Sequence, residues 1–284
     1  MFNRLVIVGP GLIGASFGLA AKKLGLAREI IGVARSLETQ NGAVEIGACD
    51  SATADLIAAA MGADFLFLAP PVGQMRSICE QIAPVLAPNA LVTDAGSTKA
   101  QIVRDGEAIF GDKARFIGGH PMAGSEKVGP LAARADLFRD ATWILTPTPQ
   151  TDASALQTLQ QMVADFGAKP LILDAQTHDE LLAVTSHLPH IAAAALTQVF
   201  AVARAKNEVA PQVVAGGWRD STRIAAGSAE MWRDICLSNR DAILNALDDL
   251  SLELNHLRAA LGEENGASLL DWLQSAATER RKFS

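Results

Sequence analysis

The chain is poor in cysteine: Cys49, Cys79 and Cys236 are scattered, odd in number and without metal-ligand spacing. That pattern excludes a disulfide framework and points to reduced thiols in a cytosolic protein. There is no basic run, and the formal net charge of −7 argues against nucleic acid as the main partner. No uninterrupted apolar stretch reaches the roughly 20 residues needed to span a bilayer. Met1-Phe-Asn-Arg runs straight into a strand-like segment, so neither a membrane partner nor a signal peptide is expected. Low-complexity segments and internal repeats are absent. His187 and His190, three apart, form the one pair with metal-ligand spacing; no carboxylate or cysteine pattern completes a site, so no metal is expected.

What is present divides into two regimes. With 284 residues, 49% of them hydrophobic, the chain suffices for two domains. In residues 1–174 short β-like runs (5–8, 30–33, 64–69, 91–94, 115–118, 142–146 and 170–173) alternate with helical patterns. That alternation predicts an α/β domain with a doubly wound parallel sheet. In residues 175–284 the strand signals stop, and 177–206, 229–261 and 263–281 read as helices. Residues 178–205 are apolar on more than one side, which predicts an all-helical domain that buries this segment against a second copy in a homodimer. A monomeric helical bundle is the alternative.

The most informative segment is 4–14, RLVIVGPGLIG. Gly9 permits a tight turn out of a strand. Gly11 lets the backbone approach a pyrophosphate, and Gly14 lets the following helix, led by Leu12 and Ile13, pack near the strand. The helix N-terminus would face the phosphates. A second strand follows, ending Val33-Ala34-Arg35-Ser36. An NAD site usually carries an acid there to hold the ribose hydroxyl. Here the acid is missing, and Arg35 and Ser36 suit a 2′-phosphate, so NADP is expected, with NAD the alternative.

Three clusters carry candidate chemistry. Asp94-Ala-Gly-Ser97-Thr-Lys99 ends the fourth apolar run, where Ser97 reads as a helix N-cap or as a hydroxyl facing the cofactor. Gly118-Gly-His120-Pro-Met-Ala-Gly-Ser125-Glu126 places a histidine on a loop fixed by Pro121, with little bulk around it. Such a histidine is a candidate general base or a structural histidine bonded to backbone. The helical part carries Ser186-His187-Leu-Pro189-His190 and Gly216-Gly-Trp-Arg-Asp220-Ser-Thr-Arg223. His187 and His190 share a helix face, and Pro189 marks a helix start or kink. Arg223 can clamp a carboxylate, or sit at the surface paired with Asp220.

GPGLIG, DAGSTK, GGHPMAGSE, THDELLAVTSHLPH and GGWRDSTRIA occur in one order over residues 4–260. Together they resemble the prephenate/arogenate dehydrogenase family of tyrosine biosynthesis. The resemblance implies a Rossmann domain followed by a helical dimerisation domain, and an oxidative decarboxylation of a cyclohexadienol. It implies His120 as the catalytic base and Ser97 as the serine touching both substrate hydroxyl and nicotinamide. Arg223, His187, His190, Ser186, Ser125 and Trp232 are implied substrate ligands, and Pro70 joins the cofactor residues. Asp220 and Glu126 match acids that pair with cations at the entrance. His190 is kept where some arogenate-specific members lack it, whereas Ala34-Arg35-Ser36 resembles NADP-using members, several of which prefer arogenate. Prephenate is the expected substrate and arogenate, or both, the alternative. A different hydroxy-acid dehydrogenase, expected to carry a lysine base, and a non-catalytic NADP-binding sensor are the competing classes.

Overall fold

The computed structural model describes residues 1–112, 114–124 and 127–283. Strands β1 (Phe2–Val8), β2 (Ala27–Val33), β3 (Ser51–Thr53), β4 (Phe65–Leu68), β5 (Ala90–Asp94), β6 (Ala114–Pro121), β7 (Thr142–Thr146) and β8 (Lys169–Ile172) form one sheet. Helices α1 (Leu12–Lys23), α2 (Leu37–Glu45), α3 (Leu56–Ala60), α4 (Met75–Ile82), α5 (Ala100–Phe110) and α6 (Ala153–Asp165) connect or cover them. The strand order is β3-β2-β1-β4-β5-β6-β7-β8. The order reverses beside β1, the place where such sheets bind ligands beyond their strand ends.

The central strands of this sheet are covered on both faces, as their apolar sequences require, whereas the edge strand β8 is exposed. Along β4 the side chains alternate: Phe65 and Phe67 join a core with Phe17, Phe138, Trp143 and Phe166, while Leu66 and Leu68 join a second with Val6, Ile78 and Ile82. Phe17 stacks on Phe67 with ring centroids 3.9 Å apart. Two details depart from the sequence reading. β3 is a three-residue edge strand pairing with the end of β2, too short to leave a pattern. β7 runs antiparallel to β6 (His120 opposite Ile144, Pro121 opposite Trp143), so the sheet is parallel except at that step.

From Ala175 the chain is helical: α7 (Ala175–Leu182), a π-turn (Ala183–His187), α8 (Leu188–Lys206), α9 (Gly216–Thr222), α10 (Ala229–Ser238), α11 (Arg240–Gly262) and α12 (Gly266–Arg281). Two breaks refine the sequence reading. Pro189 at the start of α8 lacks an N–H, and the wide turn lies directly before it. Residues 229–261, read as one helix, divide at Asn239, which serves as C-cap of α10 and N-cap of α11.

The continuous stretch Ala175–Lys206 is, by length and composition, apolar enough to cross a membrane. Polar residues such as His178, Asp179 and His187 interrupt it, so it holds no uninterrupted apolar run of spanning length. Only 11% of its most apolar 18-residue window is buried within the chain. Leu181, Val184, Leu196, Val199 and Val202 stand exposed along it. Contiguous apolar surface of this kind marks an interaction face.

Candidate active site

The glycine turn acts as its spacing requires. Gly9 leaves β1 at φ +83°, and a Cβ there would lie 2.6 Å from the Ala69 carbonyl oxygen. A Cβ on Gly14 would strike the Gly9 carbonyl, whereas one on Gly11 would meet nothing within 4 Å. Two of the glycines are therefore demanded by packing, and the third leaves a clear approach to the N-terminus of α1. Gly11 caps that helix without a side chain, so the first N–H groups remain available to an anion. Gly9, Gly11, Ala34, Arg35, Ser36 and Pro70 line one cavity of about 680 Å³. Leu12 and Ile13 pack from the first turn of α1 onto the core, and Gly14 is buried. The shape and open backbone fit a dinucleotide. At its far end Ser36 Oγ accepts the Thr39 N–H (3.0 Å) and caps α2, and Gln40 Nε2 donates to the Ala34 carbonyl (2.7 Å). Arg35 is exposed beside them.

A second cavity, about 350 Å³, is walled by Ser97, His120, Ser186, His187 and Trp232. Asp94, at the end of β5, braces two of these walls. Its carboxylate accepts the Gly96 N–H (2.8 Å) and the Gly119 N–H (2.9 Å), and it pairs with the fully buried Lys99 ammonium. One carboxylate thus ties the Ser97 turn to the strand that carries His120. Across the cavity His190 stacks on Trp232 at 3.5 Å and 11°, and His187 meets the same indole edge-on at 6.1 Å and 83°. Gly227 makes this stack possible, since a Cβ there would sit 2.9 Å from Trp232 Nε1 and 3.4 Å from His190 Cε1.

His120 itself is buried, within the last residues of β6 rather than on a loop. The antiparallel pairing with β7 carries the strand through Pro121. Gly118 and Gly119 do not serve to uncover the histidine. A Cβ on Gly118 would strike Thr146 Oγ1, and one on Gly119 would lie 2.6 Å from the Asp94 carbonyl, so both are required by close strand packing.

Behind His120 stands a pair the sequence reading missed. His120 Nδ1 lies 2.9 Å from His178 Nε2, and His178 Nδ1 lies 2.8 Å from Asp179 Oδ1. A carboxylate only accepts, so His178 carries its hydrogen on Nδ1 and accepts on Nε2. His120 must then carry its hydrogen on Nδ1, which leaves the Nε2 lone pair free to take a proton. The carboxylate also accepts the Lys99 N–H (2.7 Å) and the Ala100 N–H (2.8 Å). Asp179, and not Ser97, therefore caps α5, and Ser97 is left on the cavity wall. Burial opposes ionisation of Asp179, but these hydrogen bonds hold its carboxyl below the usual range. Burial, with the neighbouring His178, Lys99 and His187, pushes the His120 pKa well below that of an ordinary histidine. His120 is thus a neutral base at physiological pH.

The remaining expected residues separate. His187, His190, Ser186 and Trp232 converge with His120 and Ser97 on the second cavity or its wall. Arg223 opens a short 3₁₀ turn (Arg223–Ala226), exposed, in an element packed on α8. Ser125 and Glu126 lie outside the described residues. Asp220 is exposed on α9. Among the described residues no group of three or more His, Cys, Asp or Glu is arranged to hold a metal.

The prephenate dehydrogenase nucleotide-binding domain model matches residues 17–172, and the prephenate dehydrogenase dimerization domain model matches residues 174–275. The chain belongs to the prephenate dehydrogenase family. The prephenate dehydrogenase of Bacillus subtilis is 35% identical over 281 residues, spanning 99% of this chain and 76% of that protein. Among solved structures, Aquifex aeolicus prephenate dehydrogenase in complex with hydroxyphenyl propionate and NAD+ is 32% identical. It superposes with a TM-score of 0.94 over 100% of this chain and 99% of that one. Synechocystis arogenate dehydrogenase, also 32% identical, gives 0.83 over 99% and 100%. The protein is accordingly an enzyme of this family, with a nucleotide-binding α/β domain and a helical region that matches the family's dimerization domain.

Proposed function

We propose that the protein converts prephenate to 4-hydroxyphenylpyruvate and CO2 in L-tyrosine biosynthesis, using NADP in preference to NAD, as a cytoplasmic homodimer joined through the helical domain at residues 175–284. The observation that carries the reading is the hydrogen-bonded line Asp179–His178–His120, which presents a free imidazole Nε2 at a cavity shared with Ser97. A nicotinamide cofactor, when bound, accepts the hydride released from the hydroxyl-bearing ring carbon. His120 Nε2 accepts the proton of that hydroxyl in the same event, and Asp179 steadies the positive charge that forms on the two rings. Ser97 orients the hydroxyl beside His120. Loss of the ring carboxylate as CO2 makes the ring aromatic, so no metal is needed to hold a carbanion. The task of the site is orientation and proton removal.

His187, His190, Ser186 and Trp232 bound the rest of the ring and its side chain, with Arg223 as the clamp for a substrate carboxylate. Burial lowers the His190 pKa, so the ring stacked on Trp232 is neutral. The presence of His190, which some arogenate-specific members lack, favours prephenate. Arogenate, whose ammonium asks for an acceptor, is the competing substrate. The preference for NADP is supported by Ala34 where an acid would repel a 2′-phosphate, and by Arg35, Ser36 and Thr39 around the same cavity end. The exposed apolar face of Ala175–Lys206 supports dimerisation. Steady-state assays of the purified protein with prephenate and arogenate, each with NAD and NADP, test the proposal. The highest kcat/KM is expected for prephenate with NADP. Turnover of neither substrate would refute it.

A further inference from the structure

Asn239 belongs to no sequence motif that pointed to function, yet it lies behind the active site. It sits between α10 and α11 and is buried. Its side-chain nitrogen is 2.7 Å from the Asp179 backbone carbonyl and 3.1 Å from His187 Nδ1. A backbone carbonyl only accepts, so the end of the amide turned to both partners is the NH₂. Its second hydrogen then points at His187 Nδ1, which must accept. The hydrogen of the neutral His187 ring is therefore on Nε2.

That Nε2 is fully buried and has no hydrogen-bond partner of ordinary geometry. Trp232, edge-on, fixes the ring plane, and His187 lines the same cavity as Ser97 and His120. With the hydrogen on Nδ1 instead, two donors would meet at Asn239.

We propose that Asn239 is a positioning residue for the reaction: it locks His187, in the wall of the cavity shared with Ser97 and His120, in the Nε2–H tautomer. The same amide grips the carbonyl of Asp179, whose side chain orients the His178–His120 line. One residue from the α10–α11 junction thereby supports both the line behind His120 and the His187 ring in the cavity wall. The kinetic consequence rests on the reading of Ser97 and His120 as the reacting pair. The tautomer does not.

The test uses the full-length protein labelled with ¹⁵N in its histidine rings, of which there are five. Two-bond ¹H–¹⁵N correlation at neutral pH reads each tautomer, and loss of one signal set in His187→Leu assigns that ring. His187 is expected to show a hydrogen-bearing Nε2 and a bare Nδ1, and Asn239→Leu is expected to abolish that fixed pattern. A hydrogen on Nδ1 in the unaltered protein overturns the proposal without recourse to any variant. Asn239→Leu should also lower kcat about tenfold, the effect of one lost hydrogen bond, with substrate KM changed less than about threefold. In the double variant with His187→Leu the second substitution should add almost nothing. Additive losses, or an unchanged His187 tautomer in a folded Asn239→Leu protein, also overturn it. Absence of turnover on prephenate and arogenate in the unaltered protein would refute the functional reading while leaving the tautomer measurement to decide this one.

Discussion

Replacing Asp179 by asparagine preserves shape and removes one charge and one acceptor. The carboxylate takes three donors: His178 Nδ1–H and the Lys99 N–H on Oδ1, at 2.8 and 2.7 Å, and the Ala100 N–H on Oδ2, at 2.8 Å. An amide offers one acceptor oxygen. If its nitrogen takes the place of Oδ2, the Ala100 N–H at the start of α5 loses its acceptor, at about 1–3 kcal/mol of stability. If it takes the place of Oδ1, His178 must move its hydrogen to Nε2, His120 must follow, and the base loses its free lone pair. Either way the negative charge that steadies the forming imidazolium is gone. A hydrogen bond to a charged group contributes about 1.5–3 kcal/mol, which is roughly ten- to 150-fold in rate. Tautomer reversal carries the loss towards about 10⁴-fold, its size in the Ser-His-Asp triad. Asp179→Asn should therefore lower kcat by about 10²–10⁴-fold in an assay of nicotinamide reduction, while the dissociation constant for cofactor alone stays the same. Turnover within about threefold of the unaltered enzyme, in a protein of unchanged fold, would refute the assigned tautomers and with them the role of the line.

His120→Asn should retain cofactor affinity and lose about 10²–10⁴-fold in kcat, and the low-pH limb of the kcat profile should vanish with it; in the unaltered enzyme that limb should lie below the ordinary histidine range, because burial disfavours the protonated ring. Arg223→Ala should raise substrate KM strongly with a smaller change in kcat, by the equivalent of about 2–4 kcal/mol if the guanidinium meets a desolvated carboxylate, and an unchanged KM would return Arg223 to the surface. Ala34→Asp should shift kcat/KM from NADP towards NAD by repelling a 2′-phosphate and offering the ribose an acceptor; an unaltered enzyme that already prefers NAD by a wide margin would show that this turn does not select NADP. Acid should destabilise the fold: burial depresses the pKa of His120, His178, His187 and His190. The unfolded chain then binds more protons below the ordinary 6.5, so stability is fully present above that pH and is lost as pH falls towards the folded values. For His187, the fall from 6.5 to about 4 alone corresponds to about 3 kcal/mol. Thermal melts between neutral pH and about pH 4 should show it, and a melting temperature flat over that window would contradict it.

The parts of the fold legible in the sequence are those that local sterics dictate. Gly9 and Gly14 each avoid a collision of their own Cβ with nearby backbone, so their spacing announces the turn without any distant residue. The alternation of Phe65, Leu66, Phe67 and Leu68 announces a strand buried on both faces. The direction of β7 was not legible, because side-chain alternation is the same in parallel and antiparallel strands. β3 pairs through only three positions, too few to show a period. The division of α10 from α11 left one local trace: Ser238 and Asn239, both poor residues for a helix interior, lie at the break.

The candidate site shows the same division more sharply. His120 and Ser97 were readable because each stands beside glycines at the end of a strand. Their supports were not, since the contacts that define them bridge 58 residues from His120 to His178 and 80 from Lys99 to Asp179. The available signal was the adjacent His178-Asp179 pair just past the first turn of α7, where Asp174 already caps the helix. A second acid there, not required for capping, needs another employer, and the α5 N-terminus and the histidine line supply it. The proposed base, His120, is carried by the sheet, whereas its hydrogen-bonding partner His178 and the carboxylate behind it stand on α7, braced by Asn239 at the α10–α11 junction. A substitution in the helical region that never touches substrate can therefore change which nitrogen of His120 is free. Loss of activity with cofactor binding intact is the expected signature of damage on that side, and loss of cofactor binding the signature of damage at the Gly9–Gly14 turn.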